Sequence, residues 1–175
     1  MDLRGARLPG YHVGMDNARD GRHDFDFFFG RWHVANHRLA RRLEGCTVWE
    51  EFAAEVEAAP ILGGLGNLDT FTCPRFADGR PLAGATLRLF DPGSRRWSLY
   101  WADDRSHVLQ PPVHGRFEAG RGEFHGDDSF AGRPIRVRFV WSVLGADAAR
   151  WEQAFSSDGG VSWEDNWRME MSRVS

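Results

Sequence analysis

Five polar residues interrupt runs that otherwise alternate apolar and polar, and their side-chain types are those that orient a small molecule or move a proton. Glu50 shares the phase of Val48, Phe52 and Val56; Asn36 and Arg38 follow Trp32 and Val34; Gln153 lies between Trp151 and Phe155; Asp165 lies between Trp163 and Trp167. Burying such a group without a partner costs about 1 to 3 kcal/mol. These residues therefore either satisfy one another in an internal network or supply the polar contacts of a cavity. Arg38 and Glu50 can pair across neighbouring strands as a purely structural salt bridge. An unpaired, desolvated Glu50 would instead have a raised pKa and could act as a general acid or base, with His107 as a partner from a loop.

The other reactive residue types form no recognisable constellation. His33 and His37 are four residues apart, which on a strand means one face but about 13 Å of separation, too far to share an ion. His107, His114 and His125 fall in turn-rich segments without an H-x-H or H-x-x-E-H arrangement. Cys46 and Cys73 have neither metal-type nor redox-type spacing, and no histidine lies near either in sequence. No G-x-S-x-G elbow occurs, and GGLGN at Gly63–Asn67 lacks the G-K-[ST] ending of a phosphate-binding loop. That glycine run, preceded by apolar Ala58 to Leu62, reads as a strand connection or a mobile flap at a barrel mouth. No metal and no cofactor are expected.

Aromatic residues supply the main clue to a binding role. The chain has 8 Trp, 13 Phe and 2 Tyr. Trp97, Trp101, Trp141, Trp151, Trp163 and Trp167 sit on apolar phases. Large flat rings are suited to walling a cavity for another apolar or planar molecule, although they can equally fill the interior themselves.

The elements that position these residues read as strands. PIRVRFVWSVL places Ile135, Val137, Phe139, Trp141 and Val143 on one face; RWSLYWAD groups Trp97, Leu99 and Trp101; WEEFAAEVEA groups Val48, Phe52, Ala54 and Val56; the closing run gathers Trp163, Trp167, Met169 and Met171. Turn signals punctuate them at Asp78, Asp91, Glu118, Phe130, Gly145 and Ser157. Ser157-Asp158-Gly159-Gly160 joins the last two strands, since Asp and Gly tolerate the positive φ of a tight hairpin. Arg38 to Gly45 carries the one short helical spacing, through Leu39, Arg42 and Leu43. The pattern predicts an all-β, antiparallel up-and-down barrel of about eight to ten strands with at most one short helix, closure being preferred because it removes exposed edges. Residues 1–23 are polar and aperiodic and read as a flexible arm; the single barrel domain spans 24–175.

FGRWHVANHRL carries a G-x-W at Gly30 to Trp32, and the segments DFDFFFGRWHVANHRL, DPGSRRWSLYWAD and FSSDGGVSWEDNWRMEMSR together resemble a bacterial family of lipocalin-like (calycin-like) barrel domains of unknown function. The resemblance spans Asp24 to Arg173 and implies a barrel whose closed end is capped by Trp32, with no catalytic residues to carry over. Haem-binding barrels related to nitrobindin are similar in opening on a G-x-W strand, but they ligate iron through a histidine close to the C-terminus. The last histidine here is His125, so that resemblance implies no haem site.

Of 175 residues, 22 are Arg and none Lys, against 25 Asp plus Glu, with the signs interspersed for a formal charge of −3. Such a balance disfavours nucleic acid as partner. No apolar h-region and no long apolar run suggests a protein that neither enters nor crosses a membrane, read as cytoplasmic. The leading expectation is binding of a small hydrophobic or aromatic molecule inside the barrel. Trp32, Asn36, Arg38, Glu50, Trp97, Trp101, Gln153, Asp165 and Trp167 would form the lining, Glu50, Asn36 and Gln153 orienting the ligand. A cofactor-independent isomerase or cyclase using Glu50 and His107 in the same cavity is the alternative. A filled barrel serving protein interaction, as a possible homodimer, is a third.

Overall fold

Each strand hydrogen-bonds to its sequence neighbours, and the first pairs with the last. The computed structural model describes residues 20–174. Ten antiparallel strands close into a barrel: β1 (Gly30–Leu39), β2 (Trp49–Ile61), β3 (Gly66–Cys73), β4 (Leu82–Asp91), β5 (Arg96–Asp103), β6 (Val113–Glu118), β7 (Arg121–Phe130), β8 (Arg133–Gly145), β9 (Ala148–Ser156) and β10 (Glu164–Arg173). The only helical pieces among the described residues are 3₁₀ turns at Asp26–Phe28 and Leu62–Gly64. None of the described helices is long and apolar enough to cross a membrane.

The period-two alternation of the sequence becomes the inside and outside of the barrel. On β1, Trp32, Val34 and Asn36 are buried while His33 and Ala35 are exposed. On β8 the buried face holds Ile135, Val137 and Trp141. The short helical spacing from Arg38 to Gly45 does not become a helix. β1 continues to Leu39 and the chain then bends, with Leu43 at φ 59°, while the Leu43 N–H donates to both Glu164 carboxylate oxygens at 2.8 and 3.0 Å. Two turns of spacing are too short to nucleate a helix against such a contact.

One end of the barrel is plugged by the three-phenylalanine segment. Phe25 and Phe28 are fully buried, and Phe25 packs edge-on against Trp97 at 5.0 Å and Trp141 at 5.7 Å. Trp32 stacks on Phe28 at 5.8 Å and donates its indole N–H to the Phe28 carbonyl at 2.8 Å. Gly30 takes φ 107°, a conformation that only glycine adopts without strain, and this turns the chain from plug into β1. Arg173 then locks the plug, its guanidinium donating to the carbonyls of Phe27 (2.6 Å) and Phe29 (2.7 Å) and lying 4.3 Å from the Trp32 ring centre. Residues 20–23 of the expected arm also join this end, where the Trp97 indole donates to the Gly21 carbonyl at 3.0 Å. Residues 1–19 of that arm lie outside the described residues. The glycine run Gly63–Asn67 is at this end too, spanning the β2–β3 connection and the first residues of β3, and so is a strand connection and no flap over the mouth.

At the other end β1–β2, β3–β4, β5–β6, β7–β8 and β9–β10 turn. The last of these is the expected hairpin, with Gly159 and Gly160, not Asp158, at positive φ. Asp158 accepts from the Ser162 hydroxyl and N–H, from the Ser156 hydroxyl and from the Val161 N–H, which together hold its carboxyl well below the ordinary value of 3.8. A carboxylate with a depressed folded pKa contributes stability that is complete above the unfolded value and lost as pH falls beneath it. Amide exchange protection at Val161 and Ser162 should therefore drop as pH is lowered below 3.8. Protection that stays constant through that range would contradict the arrangement.

The thinnest seam lies between β5 and β6, which pair only at Trp97–Gly115, Ser98–His114 and Leu99–Val113. Above it β5 continues to Asp103 paired with β4 only, and the connection to β6 folds back so that the Gln110 N–H reaches the Trp101 carbonyl at 2.8 Å. This gap, and the adjoining ends of the strands, expose the interior.

Candidate functional site

The barrel encloses a cavity of about 400 Å³ that begins above the plug and reaches the surface at the turn end. Its volume lies in the range of small-molecule sites. Aliphatic side chains from every side, among them Val56, Leu99, Ile135, Val137 and Met169, form the middle. Rings form an arc around them: Trp101 meets Phe71 edge-on at 5.9 Å, and Phe139, Trp151 and Trp167 follow one another at 4.9 and 5.8 Å. The large rings thus wall a space while those of the plug fill one, and both roles occur in one barrel.

Four of the sequence-derived lining residues border the cavity: Arg38, Trp101, Gln153 and Trp167. Three others stand directly behind it or beneath it. Asn36 is buried and accepts the Trp167 indole N–H at 3.0 Å, fixing that ring rather than facing the space. Trp32 and Trp97 belong to the plug. The remaining two, Asp165 and Glu50, and the proton-transfer partner His107 lie elsewhere. Asp165 lies on the outer face, 60% exposed and paired with Arg138 at 3.2 Å, because a bulge between Asp165 and Trp167 reverses the alternation. That bulge also carries Trp163 outside, where its indole N–H donates to the Gly160 carbonyl at 3.1 Å, and it buries Asn166, which accepts from Gln153 at 2.8 Å. Glu50 is register partner of Arg38 but lies where β2 overshoots the body of the barrel; it borders an outer groove with Phe52 and Phe76 instead of the cavity. His107 is exposed on the β5–β6 connection, away from the cavity lining. The acid and its loop partner are therefore not assembled in the interior.

The cavity floor holds an ion pair that the sequence reading did not single out. Arg88 of β4 and Asp69 of β3 form a contact with both side chains nearly inaccessible, and Arg88 also donates to Asn67 at 2.9 Å. The guanidinium is enclosed by Phe25, Phe28 and Trp141, with ring centres at 5.0, 5.1 and 5.4 Å. Beside it the Trp141 indole N–H is buried with no acceptor among the described residues.

Arginines also gather at the mouth. Arg38 lies over Phe76 and Trp167 at 5.0 and 5.3 Å, and Arg42 over Phe130 and Phe155 at 4.5 and 5.8 Å. Burial pushes the pKa of Arg42 down to about 10, reinforced by the charge of Arg38 and only partly opposed by Glu164. Burial likewise lowers Arg38, against the opposing pull of Glu50. The third mouth arginine, Arg105, is neutralised: it holds Asp78 through both nitrogens at 2.9 and 3.1 Å, and these bonds, with those from Arg80, keep the Asp78 carboxyl far below its usual range. Asp103 is shaped by opposing effects, burial raising its pKa but donors from Ser106, Trp101 and Arg105 together holding it low. Among the described residues no group of three or more His, Cys, Asp and Glu is placed to hold a metal ion.

No protein-family model matches the chain, and no curated protein matches it in sequence. Among solved structures it is similar to the S-type phycobiliprotein lyase CPES from Guillardia theta, with a TM-score of 0.57 and 9% identity, over 91% of this chain and 98% of that one. The likeness is one of fold, and it spans nearly the whole of both chains. The lipocalin-like barrel implied by the G-x-W strand and the terminal hairpin is thereby found in the architecture.

Proposed function

We propose that the barrel binds one small hydrophobic or aromatic molecule in its interior. The observation that carries this reading is the combination of a 400 Å³ space, open at one end, with a lining of rings two of which, Trp101 and Trp167, are held through their indole N–H groups by the protein. Trp167 is held through its N–H by Asn36, and Trp101 through its N–H by Asp103 at 2.9 Å. Rings anchored in this way stand at the edge of the space without collapsing into it, so less ordering is required of the site when a ligand arrives.

The fold neighbour being a phycobiliprotein lyase, a linear tetrapyrrole belongs in the panel of candidate ligands beside simpler planar molecules. The isomerase or cyclase reading gains no support from the placement of Glu50 and His107.

Titration with N-phenyl-1-naphthylamine, a neutral aromatic probe, tests the proposal. Probe fluorescence should rise and tryptophan emission fall together, saturating at one molecule per chain. Replacing Trp167 by Phe should remove a substantial part of the quenching, because this ring borders the cavity, whereas Trp32 and Trp97 are screened within the plug. A non-saturating response, or quenching indifferent to Trp167→Phe, would contradict interior binding.

A further inference from the structure

We infer that the mouth of the cavity is built to receive a carboxylate, so that the ligand is an amphipathic acid: an apolar or aromatic body inside the barrel and an anionic end between Arg38 and Arg42. This deepens the interior-binding reading and rests on it. Both guanidiniums border the cavity and each has its face against a pair of rings. Ring stacking occupies the faces of a guanidinium and leaves its N–H edge free, and that edge is the part whose fork matches a carboxylate. The buried Nε of Arg38 has no acceptor, and among the described residues neither arginine forms an ion pair.

Most carboxylates around the mouth are already engaged elsewhere; Asp128, which borders the cavity and receives the Ser129 N–H, is the exception, and it lies in no ion pair with Arg38 or Arg42. Glu164 receives the Leu43 N–H on both oxygens. Asp78 is held by Arg105 and Arg80. Asp103 accepts the Trp101 indole and the N–H groups of Arg105 and Ser106. Asp127 lies against Arg136 at 3.3 Å, and Asp165 against Arg138. Glu50 acts on Arg38 only as a more distant charge, opposing the burial that lowers its pKa without cancelling it. Two cations are thus drawn partly out of water, close enough to disfavour one another, and among the described residues no carboxylate lies within ion-pair distance of either. Such an arrangement is costly in the free protein and is relieved by an incoming anion. Because both arginines sit at the open end and the space beneath them is apolar, the anion is the end of the ligand that enters last.

The test is competition against N-phenyl-1-naphthylamine bound to the full chain at neutral pH, comparing 2-naphthoate with 2-naphthamide, which share a ring system and differ in charge. The carboxylate should displace the probe at least about tenfold more effectively, as expected of charge-assisted hydrogen bonds. In Arg38→Met/Arg42→Met, where the stems still cover the rings, the two competitors should become equal, each measured against the probe's own affinity for that variant. Equal competition in the unsubstituted protein, or a carboxylate preference that survives the double substitution, would overturn the inference and leave interior binding standing. Failure of the probe itself to bind would instead remove the reading on which this rests. Should the double variant melt early, Arg42→Gln alone decides the matter: the preference must fall by several-fold, and an unchanged preference counts against the site.

Discussion

Asp69→Ala should destabilise the protein by about 3–5 kcal/mol, the range found when one member of a buried ion pair is removed. Asp69 and Arg88 are 4% and 3% exposed, and no other carboxylate among the described residues pairs with that guanidinium. Phe25, Phe28 and Trp141 surround the cation, and their ring faces compensate only a fraction of its lost hydration. The pair also joins β3 to β4, with Asn67 opposite Arg88 and Asp69 opposite Thr86 in the register. Because the penalty comes from the stranded charge, removing both charges should cost much less than removing one. Asp69→Leu combined with Arg88→Met should recover most of the loss in urea denaturation. A double variant as unstable as Asp69→Ala would show that the contribution comes from packing, and that the charges are incidental.

The second large effect concerns binding. Val137 sits mid-barrel on β8, buried, bordering the cavity, with Gly126 of β7 as its register partner. Val137→Trp places an indole in the space assigned to the ligand. Affinity for N-phenyl-1-naphthylamine should fall by roughly a hundredfold, equivalent to about 2.7 kcal/mol. Stability reports on the same question independently. Forcing a large ring into a close-packed core costs about 1–3 kcal/mol, whereas a hollow interior accepts it with little change and a gain in buried apolar surface. The expected result is loss of binding with a melting temperature at or above that of the unsubstituted protein. Loss of both would mean that the interior has no room to spare.

Much of the architecture was legible in the chain because a half-buried strand writes its two faces directly into alternate residues. The Gly30-x-Trp32 start, the run from Ile135 to Trp141 and the terminal hairpin all occupy the places that alternation implies. The failures come where alternation stops being a reliable guide to direction. A single bulge residue, Asn166, reverses the phase of β10, so Asp165 and Trp163 point outward although they share parity with Trp167. Nothing in the local composition marks that bulge, which is a property of the pairing with β9. Glu50 does have the inward parity of Phe52 and Ala54, yet β2 is longer than the barrel is tall at that point, and parity says nothing of height.

Other residues were within reach of the same reasoning. Asn67 and Asp69 alternate with the buried Phe71 and Cys73 on β3, and Arg88 alternates with Phe90 on β4. They interrupt an apolar phase just as Asn36 and Gln153 do. Arg42 was hidden differently: its neighbours suggested a helix, while its position over Phe130 and Phe155 is set by strands far away in sequence. Apart from Trp32, whose place at the closed end followed from the G-x-W resemblance, the division of the aromatic residues between plug and wall had no signal in the sequence, since rings that fill a space and rings that border one obey the same alternation.

A crystal structure of the protein grown with N-phenyl-1-naphthylamine addresses the hollow interior most directly. Continuous density is expected for one probe molecule among Trp101, Trp151 and Trp167, with the backbone of the ten strands unmoved. Side chains meeting across the middle of the barrel, with the probe absent or lodged only on the outer surface, would contradict a hollow interior.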